Sequence, residues 1–335
     1  MRSRSDTRRW IATRATSLTL GAGLGLGSLL GCGVPERVVG LRPAPTEQIG
    51  GAPFTQASAQ SIATRVLAAA DLAFAAPDGR NDDRGEVLSG PALRLAQVSN
   101  RFTTREASLT PRTAPQVLAI STGRAWPRRI LATTVVDDIQ SLHVLIADSP
   151  TAPYKLWVSA PMLPGASIPA LPPVSDGIST ITTDAGLVAS PARVLTAYCR
   201  LLDVPRTLKR SSYVTDDDAY AVALLRASAA QKKALGSLGT FTRTHRVVPD
   251  ESVAFQLADG SALAFGQFTR TDQLAPTSKA KRLDLPADLA KLAGRKTVTD
   301  RLRLRWLMTT IMVIPADQPA RVVGVGEQLR GISAK

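Results

Sequence analysis

The chain has 335 residues, 44% hydrophobic and 4% aromatic, with a formal charge of +14. That apolar content builds real cores and argues against wholesale disorder, and the length allows two ordinary domains. So few aromatics argue against stacking platforms for single-stranded nucleic acid, and the positive charge suits anionic lipid headgroups or acidic wall polymers instead.

The first stretch in chain order reads as an export leader. Arg2, Arg4, Arg8, Arg9 and Arg14, against Asp6, form a basic opening. Leu18 to Leu30 follow as an apolar segment, broken by glycines and short of the ~20 residues that span a bilayer. It ends in Leu29-Leu30-Gly31-Cys32, which resembles the lipobox of bacterial lipoproteins. That resemblance implies a signal peptide over 1–31, cleavage before Cys32, and a diacylglycerol on its thiol, with palmitate-type acyl chains. Small Gly31 opens the bond to the peptidase, and the thiolate is the nucleophile. The expected address is the extracytoplasmic face of the cell membrane. Thr7-Arg8-Arg9-Trp10-Ile11 also resembles a twin-arginine signal, but Ala12-Thr13 depart from it, so that route and general secretion both stay open. Five arginines and one aspartate lie in residues 1–31, so the remainder carries +10 of the +14.

Residues 32–57 read as the lipidated Cys32 and a flexible tether rich in Pro and Gly, with a reach of about 25–30 Å. A first ordered part is expected over 58–165. Ile62, Val66, Leu67, Ala70 and Phe74 fall at helical spacing before Pro77-Asp78-Gly79. A second short helix opens at Gly90-Pro91. Strands are expected over Val117 to Ser121, Arg129 to Val136, Leu142 to Ala147 and Tyr154 to Ala160.

A proline-rich connector over 166–189 precedes a second part, 190–330. Ser190-Pro191 is an N-cap with proline in the first turn, opening a helix to Leu202. Thr215 is expected to cap the next helix, placing Asp216, Asp217 and Asp218 in its first turn. Strands are expected over Thr240 to Val248, Ser252 to Ala258, Ala262 to Phe268, Thr297 to Ile314 (one strand or two abutting) and Arg321 to Glu327. Asp259-Gly260 marks a hairpin. A strict two-residue turn would set Phe255 and Leu257 above Ala262 and Ala264, so either both faces are covered or the loop is longer.

Helices then strands, twice, predict an α+β fold of two tandem domains, each with helices packed on a curved antiparallel sheet. This resembles the cystatin-like or NTF2-like cone. Thr64-Arg65-Val66-Leu67-Ala68-Ala69 and Ala192-Arg193-Val194-Leu195-Thr196-Ala197 echo each other at corresponding places. Beyond the lipobox, three stretches carry a further resemblance: Ala125-Trp126-Pro127-Arg128-Arg129, Ala152-Pro153-Tyr154-Lys155-Leu156-Trp157 and Met162-Leu163-Pro164-Gly165. Ala258-Asp259-Gly260-Ser261-Ala262-Leu263 and Arg321-Val322-Val323-Gly324-Val325-Gly326 extend it. Through them the chain is similar to an uncharacterised actinobacterial lipoprotein family sharing a domain of unknown function. The resemblance implies the address and the two-part plan and carries no activity.

Catalytic motifs are missing: there is no G-x-S-x-G, H-E-x-x-H or C-x-x-C. No catalytic residue, metal site or cofactor is expected. Cys199, in an apolar helical pattern, reads as a buried thiol, and His143 and His245 as strand residues. The sharpest constellation is Arg301-Leu302-Arg303-Leu304-Arg305-Trp306. Alternation puts Arg301, Arg303 and Arg305 on one strand face about 7 Å apart, a spacing suited to a polyanion or to a solvated sheet face. The expectation is a lipid-anchored envelope protein that binds or scaffolds, held to the membrane by its anchor. The alternatives are an enzyme with a cone-shaped pocket and the solute-binding lipoprotein of an importer.

Overall fold

A computed structural model describes residues 50–335 apart from 77–80, 100–112, 124, 182 and 184–185. Leu29, Leu30, Gly31, Cys32 and most of the tether lie outside the described residues. Residues Gln48–Lys335 form one compact unit.

Helix α1 (Gln56–Ala75) begins two residues before the expected Ser58, because Thr55 serves as N-cap and accepts from the Ser58 amide. Ala59, Ala63, Val66, Leu67 and Ala70 form its buried stripe. Just ahead of it Phe54 meets Tyr154 edge-on at 6.2 Å, so the end of the expected tether is packed. Helices α2 (Asn81–Val87) and α3 (Gly90–Ser99) follow. Arg84, 1% exposed, reaches back from α2 to the carbonyls of Ala73 and Ala76, which α1 itself leaves open.

Strands β1 (Gln116–Ile120), β2 (Arg128–Val136), β3 (Ile139–Ala147) and β4 (Lys155–Pro161) form an antiparallel meander in that order. The β2–β3 turn is Asp137-Asp138, both at positive φ, as a tight two-residue hairpin requires. One face of this sheet gives Ile130, Ala132, Leu145 and Leu156 to α1 and α3. Its other face gives Leu131, Leu142, Val144 and Val158 to the second sheet.

The connector hydrogen-bonds along β1 through Ile178 and then becomes β5 (Thr180–Ile181). Helix α4 (Pro191–Leu202) starts at its predicted Ser190 cap. Helix α5 (Ala219–Leu235) starts later than expected: Asp218, not Thr215, is the cap, with Oδ1 accepting from the Ala221 amide at 2.9 Å. The Thr215 amide is instead drawn to the Ala320 carbonyl.

The remaining elements are β6 (Gly239–Gln256), β7 (Ala262–Pro276), β8 (Leu283–Asp284), α6 (Ala287–Ala293), β9 (Thr297–Val298), β10 (Leu302–Ile314) and β11 (Arg321–Ala334). The second sheet has the order β11-β10-β7-β6-β5, and β8 and β9 pair separately. Gln256 pairs with Ala262, so the hairpin loop is longer than two residues and both of its faces are covered. Phe255, Leu263, Phe265 and Ile311 face the first sheet; Ala254, Ala264, Phe268 and Met308 face α4 and α5. Gly266 gives Leu195 its seat, since a Cβ there would lie 2.7 Å from the Leu195 Cδ2. The fold is thus mixed α+β, with two antiparallel sheets back to back and helices on both outer faces.

Candidate functional site

The helix-facing side of β6 and β7 starts apolar and then turns polar. Alternation along β6 places Phe241, Arg243 and His245 on that side, and β7 contributes Phe268, Arg270 and Asp272. Register makes Arg243 and Asp272 direct cross-strand partners, and likewise His245 and Arg270. Helix α5 meets Arg243 and Arg270, the end of α4 meets His245, and all four are less than a tenth exposed.

Asp272 is the hub. Its Oδ1 accepts from Arg243 Nε at 2.5 Å, and its Oδ2 lies 3.3 Å from Arg270 Nε in an ionic contact that lacks hydrogen-bond alignment. Arg243 Nη1 donates to the Leu224 carbonyl at 3.1 Å and to Ser228 Oγ at 2.5 Å, both on α5. Arg270 Nη1 donates to Tyr220 Oη and Glu327 Oε2, each at 2.8 Å, and its guanidinium lies 4.5 Å over the Trp306 ring. Burial works against the Arg270 charge, but Tyr220, Asp272 and Glu327 outweigh it and push its pKa up. Burial also pushes the Tyr220 phenol up, beyond the help it receives from Arg270. Both groups therefore keep one protonation state near pH 7.

His245 stands at the end of the row. Its Nδ1 and its own amide share Asp203 Oδ1, at 3.1 and 2.9 Å, while Thr207 donates to Oδ2 at 2.8 Å. Burial lowers the imidazole pKa against the pull of Asp203, so the ring is neutral with its proton on Nδ1. Burial would raise Asp203, but the bonds from His245 and Thr207 hold it lower. The opposite nitrogen, Nε2, is buried without a hydrogen-bond partner, and the ring meets Phe268 edge-on with centroids 5.7 Å apart. Cys199 is buried and free, its thiol pushed up by burial, which leaves it protonated and unreactive. Among the described residues there is no group of three metal-ligating side chains, and no helix long and apolar enough to cross a membrane.

Beside this network lies a cavity of about 400 Å³. Its walls are mostly apolar, from Leu235 at the end of α5 and Leu238 just after it, Phe241 and Leu274 on β6 and β7, and Leu302 and Leu304 on β10, and its polar lining is Gln231, Arg243, Asp272 and Asp284. The roof is the β8–α6–β9 flap, which contributes Leu283, Leu285 and Leu289. The flap is pinned by the Leu283–Val298 pairing and by the Leu285 amide on the Lys296 carbonyl. Gly294 ends α6 in the left-handed region. None of the seven α6 residues is fully buried, so its leucines are only partly removed from water. A wider depression of about 560 Å³ beside α4 carries Arg193, Arg200 and Arg210, but it is open to solvent and its arginines are surface groups.

The predicted arginine stripe lies close by. Arg303 and Arg305 are exposed on one face of β10 while Leu302 and Leu304 turn into the cavity wall. Arg303 Nε donates to Gln273 at 2.8 Å, and Arg301 precedes the strand with its Nε 3.2 Å from Asp300. His143, on β3, is buried with Nε2 2.8 Å from Thr134 Oγ1 and sits far along the chain from the network. The Arg243–Asp272 network was not expected from sequence. Its signal is charge at two-residue spacing within strands that are otherwise apolar: Arg243-Thr244-His245 and Arg270-Thr271-Asp272.

No curated protein and no solved structure matches the chain. A family model does match, over residues 53–331, which takes in both sheets, the network and the flap. The chain belongs to the family described as Domain of unknown function (DUF8094).

Proposed function

We propose that the protein is a lipid-anchored binding protein of the extracytoplasmic envelope, without a catalytic role, which takes a small apolar ligand into the cavity beneath the flap. The cavity carries this reading. At about 400 Å³ it falls within the ~300–1,000 Å³ of small-molecule sites, and it combines apolar walls with a few convergent polar groups. Those polar groups are tied to one another in a fixed network, and the neutral His245 is bonded to Asp203. Such an arrangement suits holding a ligand better than exchanging protons with one.

The address rests on Leu29-Leu30-Gly31-Cys32 and on the resemblance to actinobacterial lipoproteins. Two acyl chains at Cys32 would hold the protein stably where one is marginal. The mass of the mature amino terminus tests that point. Arg301, Arg303 and Arg305 would then face anionic headgroups or wall polymer. The order of elements supports reading 58–165 and 190–330 as tandem α+β domains stacked by their sheets. For the second of these, with α5 and the flap beside its sheet, the cystatin-like or NTF2-like cone is our analogy.

A neutral apolar dye, N-phenyl-1-naphthylamine, tests the cavity in the full-length chain. Its fluorescence rises with wild type and does not with Ala234→Trp, which fills the cavity from the exposed side of α5. Equal dye binding by both proteins, or by neither, would remove the cavity as the site.

A further inference from the structure

The geometry points to a ligand class. Resting on the cavity reading above, we propose that the ligand is a single-chain amphiphile with an anionic head. The head sits on Arg243 and the chain runs along the leucine wall toward the flap.

The donors of Arg243 are the first ground. A guanidinium carries five N–H donors in a rigid planar fork. Nε is taken by Asp272, and Nη1 by the Leu224 carbonyl and Ser228. Nη2 has no partner among the described residues, on a side chain that lines the cavity and is 5% exposed. An acceptor inside the cavity completes the donor set through Nη2 alone, as a single charge-assisted hydrogen bond.

Charge is the second ground. Arg243 and Arg270 share one buried carboxylate, Asp272. Glu327 bonds Arg270 from a side chain that is 43% exposed, so it neutralises the interior less completely than a buried partner does. A buried cation gains most from a desolvated counter-charge. An ammonium head would meet Arg243 and find Asp272 already engaged by two arginines, which disfavours it, and an alcohol would complete the hydrogen bond without the charge.

The path from Arg243 to solvent is the third ground. It is mostly apolar, with Gln231 and Asp284 among its lining, and includes Leu238, a large apolar side chain that is 52% exposed. Residues 279–305, the flap and the start of β10, carry nine basic and three acidic side chains, while the charged groups lining the cavity itself are Arg243, Asp272 and Asp284. Asp284, which lines the cavity, lies 3.6 Å from Arg282 in an exposed pair. The positive surplus of residues 279–305 favours anions in their neighbourhood, and the flap leucines offer the chain an apolar cover.

Calorimetric titration of the full-length chain with three probes of equal chain length tests this: dodecanoate, 1-dodecanol and dodecyltrimethylammonium. Dodecanoate binds wild type about tenfold or more tightly than the other two, the worth of one charge-assisted hydrogen bond. Arg243→Gln brings dodecanoate down to the level of dodecanol, and Ala234→Trp abolishes both. If Arg243→Gln fails to fold, the wild-type ranking and Ala234→Trp decide alone. Dodecanol or the cation binding as tightly as dodecanoate overturns the anionic head, while dye binding in the cavity still stands. Dodecanoate binding that survives Ala234→Trp overturns it too, because the acid is then held elsewhere.

Discussion

Replacing Asp272 with Asn keeps the shape of the side chain and removes the one carboxylate buried between Arg243 and Arg270. Both guanidiniums are less than a tenth exposed and lose their shared counter-charge together. Breaking a buried pair from one side costs about 3–5 kcal/mol, chiefly because charge is left behind without a partner. For a domain of this size that is a fall in Tm of about 10 °C. Glu327→Gln is the internal control. It also removes a carboxylate from Arg270, at 2.8 Å, but from a half-exposed side chain, where a pair is worth about 1 kcal/mol or less. The triple replacement Arg243→Met, Arg270→Met, Asp272→Leu removes charge and counter-charge together, and its stability should return close to wild type. Thermal and urea unfolding of the four proteins read the series. Should Asp272→Asn cost no more than Glu327→Gln, the buried arginines are not held through Asp272 and the network described here is not a unit.

His245 contributes a pH signature. Its pKa is lowered in the fold, so below about 6.5 the unfolded chain takes up a proton that the folded chain refuses. Stability is full above that value and falls as pH drops from 6.5 toward the lowered folded pKa; in His245→Gln the slope of urea stability between pH 7 and 5 is shallower. Phe265→Ala, in the core shared by the two sheets, should cost about 3–5 kcal/mol and lower a single unfolding transition seen by all probes. Two separated transitions would mean that the sheets unfold independently. Replacing Arg301, Arg303 and Arg305 by Gln should weaken binding to anionic vesicles about a hundredfold at low salt, at ~1 kcal/mol for each charge near the surface. The difference should fade at 0.15 M salt, where the Debye length is ~8 Å; equal binding at low salt makes the stripe a solvated face only.

Local chemistry was the legible part of the fold. The Ser190 cap, the proline beside it and the apolar stripe from Val66 to Ala70 each depend on neighbours within a turn, and α1 and α4 lie where those signals put them. The alternation of Arg303 and Arg305 with Leu302 and Leu304 was legible for the same reason. At α5 two capping acceptors competed: Thr215 and Asp218 both suit the role, and the pull of the Ala320 carbonyl on the Thr215 amide decides between them. Strand β6 was expected as two strands, Thr240 to Val248 and Ser252 to Ala258. A register shift between Val247 and Ser252, with Asp250 at positive φ, absorbs the extra residues and lets pairing resume.

The network and the cavity depend on register, which short-range patterns do not set. Arg243 and Asp272 are 29 residues apart, and a slip of one position would turn both to the opposite face. No element was expected between Phe268 and Thr297, where most of the flap lies. Its leucines, Leu283, Leu285 and Leu289, signal only an apolar surface in need of a partner, and the partner is a wall built by α5, β7 and β10.

Hydrogen–deuterium exchange of the full-length chain with and without dodecanoate tests most directly where a ligand lies. Occupancy of the cavity predicts slowed exchange in residues 227–243, along the end of α5 and the start of β6, and in 283–304, across the flap and the start of β10. The α4 depression around Arg193 and Arg210 should be unchanged. Protection centred on that depression, or none beneath the flap while dodecanoate is bound, would contradict the cavity as the binding site.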